Sequence, residues 1–206
     1  MVPVARVVGN IHVLTDEFVN VYLVIRGDHV VLVDAGIEST GAKILDYVKE
    51  LGHSPTNISL VVVTHHHWDH TGSLKFIVEK TGAEVVAHKN EAPLIESRTG
   101  LTPSKLLEDG DVIEDLTVIH TPGHTPGHIC LLHRETSSLF IGDLVHMEDN
   151  ELKEIPHEYS QDPEGNRESI KKLRNTEFKH LLLSHGKPII NNGKEKLLEL
   201  IQKLTT

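Results

Sequence analysis

Thr64-His65-His66-His67-Trp68-Asp69-His70 follows the apolar run Leu60-Val61-Val62-Val63 and precedes Thr71-Gly72-Ser73. The run has the length and β-branched content of a buried strand. A helix is expected over about Gly72–Lys80, with Leu74, Ile77 and Val78 inward. Four histidines and a carboxylate therefore stand at the C-terminal end of a strand, a common place for sites in α/β proteins. On an extended backbone, residues i and i+2 face the same side, so His65 and His67 can reach one metal ion. Asp69 and His70 come where the chain turns into the helix and can serve a second ion. Imidazole with carboxylate suits zinc, iron or manganese. The alternative is a solvated histidine-rich loop, but burying four such groups at one strand end without a metal would be costly. His66 and Trp68 alternate to the other side. Trp68 is expected to pack or to shield the site rather than to bind metal.

The remainder of the chain sets the frame. At 206 residues it fits a single domain spanning 1–206 with a sizeable core. Its formal net charge is −10, which argues against nucleic acid or an anionic membrane as partner. A small-molecule substrate is expected instead, and a homo-oligomer is left open. Cys130 is the only cysteine, so no internal disulfide can form, as suits a reducing compartment. Met1–Arg6 lacks the charged and apolar regions of a secretory signal, and no apolar run approaches the roughly 18 residues of a membrane span. A cytoplasmic protein is the expectation.

Taken in order, Ile11–Leu14, Val19–Ile25 and Val30–Val33 read as strands, with a turn at Gly27-Asp28. Asp34 follows the third. It is either a turn former or a carboxylate that orients a metal-bound histidine, and its place at a strand end favours the second. Ser39 or Thr40 is expected to cap a helix running to about Leu51, with Ile44, Leu45, Val48 and Leu51 as its apolar stripe. Glu84–His88 reads as a strand, giving strand–helix–strand–helix–strand. Lys89–Glu114 reads as a short helix, a loop and a turn at Asp109-Gly110-Asp111. Leu116–Ile119 is a strand leading into the turn-rich His120–His128. His128–Leu132 and Ser138–Ile141 read as a hairpin ending at Gly142-Asp143. A helix over Glu164–Arg174, a strand over His180–Leu183 and a terminal helix over Lys194–Leu204 complete the succession, the last with Leu197, Leu198, Ile201 and Leu204 inward. Met147–Gln161 shows no clear period. It is expected to be a loop, and a flap over the substrate is one reading of it, with His146 and Tyr159 as hydrogen-bond donors.

Four strand ends thus present ligand-type residues: His65, His67, Asp69 and His70; His124; Asp143; and His185. Singly, His124 or His185 would be an ordinary loop histidine. Together the seven suit two metals sharing one carboxylate. The run Thr64–His70 resembles the His-x-His-x-Asp-His signature of the metallo-β-lactamase superfamily. The later Pro-Gly-His, Gly-Asp and Ser-His-Gly elements follow in that family's order, and Asp34 matches its early acidic position. The resemblance covers nearly the whole chain. It implies an α/β (α+β) fold, the four-layer αβ/βα sandwich of that family. It also implies that His65, His67 and His124 bind one metal and that Asp69, His70 and His185 bind the other. Asp143 would then bridge two divalent ions, zinc first, with iron or manganese as alternatives. Hydrolysis would use a hydroxide held by the metals, with Asp69 orienting it or taking its proton. The other histidines match no ligand position, although His128 is a candidate neighbour of the ligands.

Within the family, the metal loop is most similar to that of glyoxalase II-like enzymes. The Gly-Cys-Gly-Arg element such enzymes carry after the bridging aspartate is absent, Leu144-Val145-His146-Met147 standing there instead, and only a short tail follows His185. The resemblance therefore implies a compact hydrolase of small esters, lactones or thioesters. A phosphodiester or phosphotriester hydrolase is the second reading, and a one-iron persulfide dioxygenase the third. A metal-storing or metal-sensing protein would leave Asp143 without a purpose.

Overall fold

The computed structural model describes residues 4–205, which fall into two compact units, divided between Leu107 and Glu108. In the first unit the strands β1 (Val4–Val8), β2 (Ile11–Asp16), β3 (Val19–Arg26) and β4 (His29–Val33) form an antiparallel meander. The sheet continues through β5 (Ile58–Val63), β6 (Glu84–His88) and β7 (Lys105–Leu107), all parallel to β4, giving seven strands in sequence order. Parallel strands need crossovers. These are the helix α1 (Thr40–Glu50), the single turn α2 (Trp68–Thr71) with α3 (Leu74–Thr81), and α4 (Ala92–Thr99).

Val61 and Val63 of β5 join a core with Ile44 and Val48 of α1 and Leu74 and Ile77 of α3. Leu60 and Val62 are buried as well, so the strand is covered on both faces, as its unbroken apolar run requires. Each such side chain contributes about 1.5–3 kcal/mol on burial. That anchorage is what holds the polar stretch after Val63 in place.

In the second unit β9 (Leu116–His120), β10 (Ile129–His133) and β11 (Ser138–Gly142) pair antiparallel, with the short β8 (Val112–Ile113) beside β9. The strand β14 (His180–Leu183) runs parallel to β11 and closes the five-stranded sheet. A separate hairpin, β12 (Val145–Glu148) with β13 (Glu151–Glu154), follows β11. The helices α5 (Pro163–Lys172) and α6 (Gly193–Lys203) complete this unit, whose core joins Ile141 and Leu183 to Ile170, Leu197 and Ile201.

Several expectations need correction. The strands β1, β7 and β8 were not anticipated; all three sit at or near sheet edges and are short. The expected helix runs Leu74–Thr81, but an unexpected single helical turn over Trp68–Thr71 precedes it, so the alternation of sides ends at His67. Ser39 does not cap α1. It lies in a helical conformation, and its hydroxyl donates to Asp16 Oδ2 at 3.1 Å instead. On α6, Leu198 is 37% exposed and Leu200 takes its place in the core. The segment Met147–Gln161 is not an irregular loop. Most of it is the hairpin and a single 3-10 turn over His157–Tyr159.

Candidate metal centre

The ligand-type residues of the first unit are set by two parallel neighbours, β4 and β5. Asp34 follows β4, and its N–H donates to Val62 O at 2.9 Å, so it lies beside the end of β5. The residue is 2% exposed and holds φ +64, a conformation that Asp tolerates better than most side chains. Its carboxylate accepts the Thr64 N–H at 2.7 Å and the Thr64 hydroxyl at 2.8 Å. It also lies 2.8 Å from Nδ1 of His70. A carboxylate only accepts, so the His70 proton sits on Nδ1 and Nε2 keeps its lone pair. That Nε2 lies 3.8 Å from Asp69 Oδ2. His65 Nδ1 is 3.1 Å from the same Thr64 hydroxyl. With that hydroxyl's hydrogen committed to Asp34, His65 donates from Nδ1 and its Nε2 is also left as an acceptor. Ligand atoms of His65 and His67 lie within 4.8 Å of each other, and so do those of Asp69 and His70.

His66 faces elsewhere. Its N–H and its Nδ1 both meet Oε2 of the fully buried Glu91, at 2.9 and 2.7 Å. Trp68 is 54% exposed, its ring edge-on to Phe18 with centroids 5.7 Å apart.

In the second unit, His124 lies on the loop from β9 to β10, Asp143 just past β11, and His185 just past β14. Asp143 Oδ2 lies 3.2 Å from Nε2 of His185 and 3.6 Å from Nε2 of His124. The second separation is too long for a hydrogen bond. One buried carboxylate oxygen facing two imidazole nitrogens suits a cation better than a proton, and the donors are those of zinc, iron or manganese. The loop around His124 is fastened from outside. Gln161 N–H donates to His124 O at 3.1 Å and Asp162 N–H to Gly123 O at 2.8 Å. At Gly123 (φ +138) an added Cβ would stand 2.0 Å from Asn166 N, so only glycine allows this approach.

His146 is half-buried on β12, opposite Lys153, and its Nδ1 makes no hydrogen bond. Burial holds its pKa below the usual imidazole value against the opposing pull of Glu148. Tyr159 is 58% exposed. Cys130 is fully buried, and burial pushes its thiol up to about 12, so it is no nucleophile. Thr64 and Thr121 were not singled out in the sequence. Each is a small hydroxyl at a strand end directly beside a histidine-bearing turn, and that adjacency was the available signal.

A family model described as the metallo-beta-lactamase superfamily matches residues 14–185. A probable metallo-hydrolase of Bacillus subtilis is 28% identical, covering 95% of the chain and 91% of that protein. A hydroxyacylglutathione hydrolase of Pseudomonas aeruginosa is 42% identical over 98 residues, 45% of the chain and 35% of that enzyme. An acyl-coenzyme A thioesterase of Gallus gallus is 33% identical over 62% of the chain and 57% of that enzyme. Among solved structures, a class B3 di-zinc metallo-β-lactamase from an Alaskan soil metagenome superposes with TM-score 0.76 at 21% identity, covering 97% of this chain and 90% of that one.

Proposed function

Because the chain belongs to the metallo-β-lactamase superfamily and is a hydrolase of that kind, we propose that it holds two divalent metal ions, zinc first, and cleaves small thioesters, esters or lactones. His65, His67 and His124 would take one ion and Asp69, His70 and His185 the other, with Asp143 bridging. The observation that carries this reading is the single Asp143 oxygen facing His124 at 3.6 Å and His185 at 3.2 Å. The paired donors of the first unit, oriented through Thr64 and Asp34, supply the same chemistry. Ions held by these residues would supply a water acidified to a pKa of about 7 and polarisation of an acyl carbonyl.

The chain's own residues do the remainder. Asp34 holds His70 in the tautomer that offers Nε2. Asp69 accepts a proton from the attacking water or orients it. His146, kept neutral by burial, offers a ring N–H toward a substrate oxygen, and Tyr159 closes over the acyl group from the segment after the hairpin. The thioester class is favoured by the named thioesterase and hydroxyacylglutathione hydrolase relatives. A cytoplasmic setting accords with the buried, unreactive Cys130; among the described residues no helix is long and apolar enough to cross a membrane.

The test is a panel of acyl thioesters, lactones and phosphodiesters assayed with zinc-loaded protein. Turnover of thioesters or lactones that disappears on chelation supports the reading. Turnover of phosphodiesters alone, or oxygen uptake with a persulfide and no hydrolysis, would overturn it. Tyr159→Phe and His146→Ala lower kcat/KM while leaving metal content intact if both side chains meet substrate.

A further inference from the structure

His128 is fully buried, and its two ring nitrogens face two different segments of the second unit. Its Nδ1 lies 2.9 Å from Thr121 Oγ1, and its Nε2 lies 3.0 Å from the backbone nitrogen of Asp143. An amide N–H can only donate, so Nε2 accepts and the proton of the neutral ring sits on Nδ1. Nδ1–H then donates to the Thr121 hydroxyl. Thr121 N–H in turn donates to His128 O at 2.9 Å, closing the loop that bears His124 upon itself. The ring reaches from that closed loop to the turn that bears Asp143.

The backbone is shaped around this contact. Gly142 holds φ +58, and a Cβ added there would stand 2.2 Å from His128 Nε2. The imidazole occupies the space that any side chain at 142 would need. Asp143 itself lies past the end of β11, one residue beyond the pairing of Gly142 with Leu183 of β14. Its N–H has left the ladder and is received by the ring. A second tie runs alongside: Cys130 Sγ lies 3.3 Å from Ile141 O and 3.5 Å from Thr121 Oγ1.

We propose that His128 is a positioning residue. By accepting the buried Asp143 N–H while anchored on Thr121, it fixes the Asp143 carboxylate relative to His124. This rests on the reading of Asp143 and His124 as metal ligands. Groups that orient ligands typically matter by about 10–100-fold in metal affinity. The ring contributes an acceptor at one place and a rigid span to Thr121, and both can be removed separately.

His128→Leu removes the acceptor and leaves the Asp143 amide buried without a partner. His128→Gln restores an acceptor close to the place of Nε2. Thr121→Val keeps the ring but removes the hydroxyl on which its Nδ1–H is anchored. Zinc affinity is measured by competition with a chromogenic chelator, and the d–d spectrum is recorded on cobalt-loaded protein. Melting of the metal-free protein reports any purely structural cost. The expected result is a loss of zinc affinity of about 10–100-fold in His128→Leu with an altered cobalt spectrum, substantial recovery in His128→Gln, and a smaller loss in Thr121→Val. Lower melting of the metal-free variants with wild-type zinc affinity and cobalt spectrum would overturn the inference. Should His128→Leu not fold, the same comparison between Thr121→Val and His128→Gln decides it. Wild-type protein that takes up no stoichiometric metal defeats the ligand reading, and the inference with it. Wild-type uptake with unaffected variants defeats the inference alone.

Discussion

Nδ1 of His70 lies 2.8 Å from Oδ2 of Asp34, a residue 36 positions earlier in the chain. The two side chains are 0% and 2% exposed. The same carboxylate receives the N–H and hydroxyl of Thr64, so one buried group fixes the end of β5 and the ring that follows it. Asp34→Asn places an amide N–H against donors and removes the charge. Metal affinity is expected to fall about 10–100-fold, and the metal-free protein to lose about 1–3 kcal/mol. Chelator competition and urea unfolding measure the two effects. Unchanged metal affinity would show that Asp34 serves only the backbone turn.

Asp143→Asn and His66→Asn separate a ligand from a strut. Asp143 faces His124 and His185, whereas His66 is bonded to Glu91. Asp143→Asn is expected to abolish the second equivalent of zinc and most activity. His66→Asn is expected to lower the melting temperature, because the buried Glu91 loses a partner, while leaving zinc content as in wild type. Equal effects on zinc content would mean that the orientation of the Thr64–His70 stretch is misread.

Much of this arrangement was legible in the sequence because its elements are strongly patterned. The run Leu60–Val63 and the β-branched strands before it bury on both faces, and His65 and His67 fall on one side of an extended segment. What escaped depended on partners far away in sequence. Ser39 reads as a cap, yet its hydroxyl bonds Asp16, 23 positions earlier, and no local pattern encodes that preference. The hairpin over Val145–Glu154 was missed because its two strands are only four residues each, so its apolar face is just Val145, Met147 and Leu152, too short a run to show a period of two. Its signal was in the turn: Asp149 and Asn150 hold φ +52 and +63, the pair of positive angles a two-residue hairpin loop requires. His128 could be placed near the ligands from its motif, but its bond to the Asp143 amide arises only when β10 and β11 pair.

The acid sensitivity of the metal-free protein has a nameable part. Burial raises the pKa of Asp16, but hydrogen bonds from Lys43, Thr40 and Ser39 together with the Lys43 charge outweigh it, and the net shift is downward. A carboxyl whose folded pKa is depressed contributes stability above its unfolded value of about 3.9, and that stability is lost as pH falls through the folded value. Asp16→Asn should therefore cost about 1–3 kcal/mol at pH near 7, with the gap to wild type closing below pH of about 4. Urea unfolding of metal-free protein across that range gives the comparison. A gap independent of pH would remove Asp16 from the account.

Cys130 is fully buried with its thiol pushed up to about 12. Native protein is expected to resist a thiol reagent at neutral pH and to take up one equivalent on unfolding. Fast labelling of the native protein, with activity lost in step, would mean that the thiol is accessible and takes part in function.

The most direct measurement is the metal content of protein loaded under mild conditions and then freed of excess ion, for wild type, Asp69→Ala and His185→Ala. The account predicts close to two equivalents of zinc per chain in wild type, and a loss of about one in either variant, the site left by His65, His67 and His124 remaining filled. A firm single equivalent in wild type, with Asp69→Ala and His185→Ala binding metal as before, would contradict it.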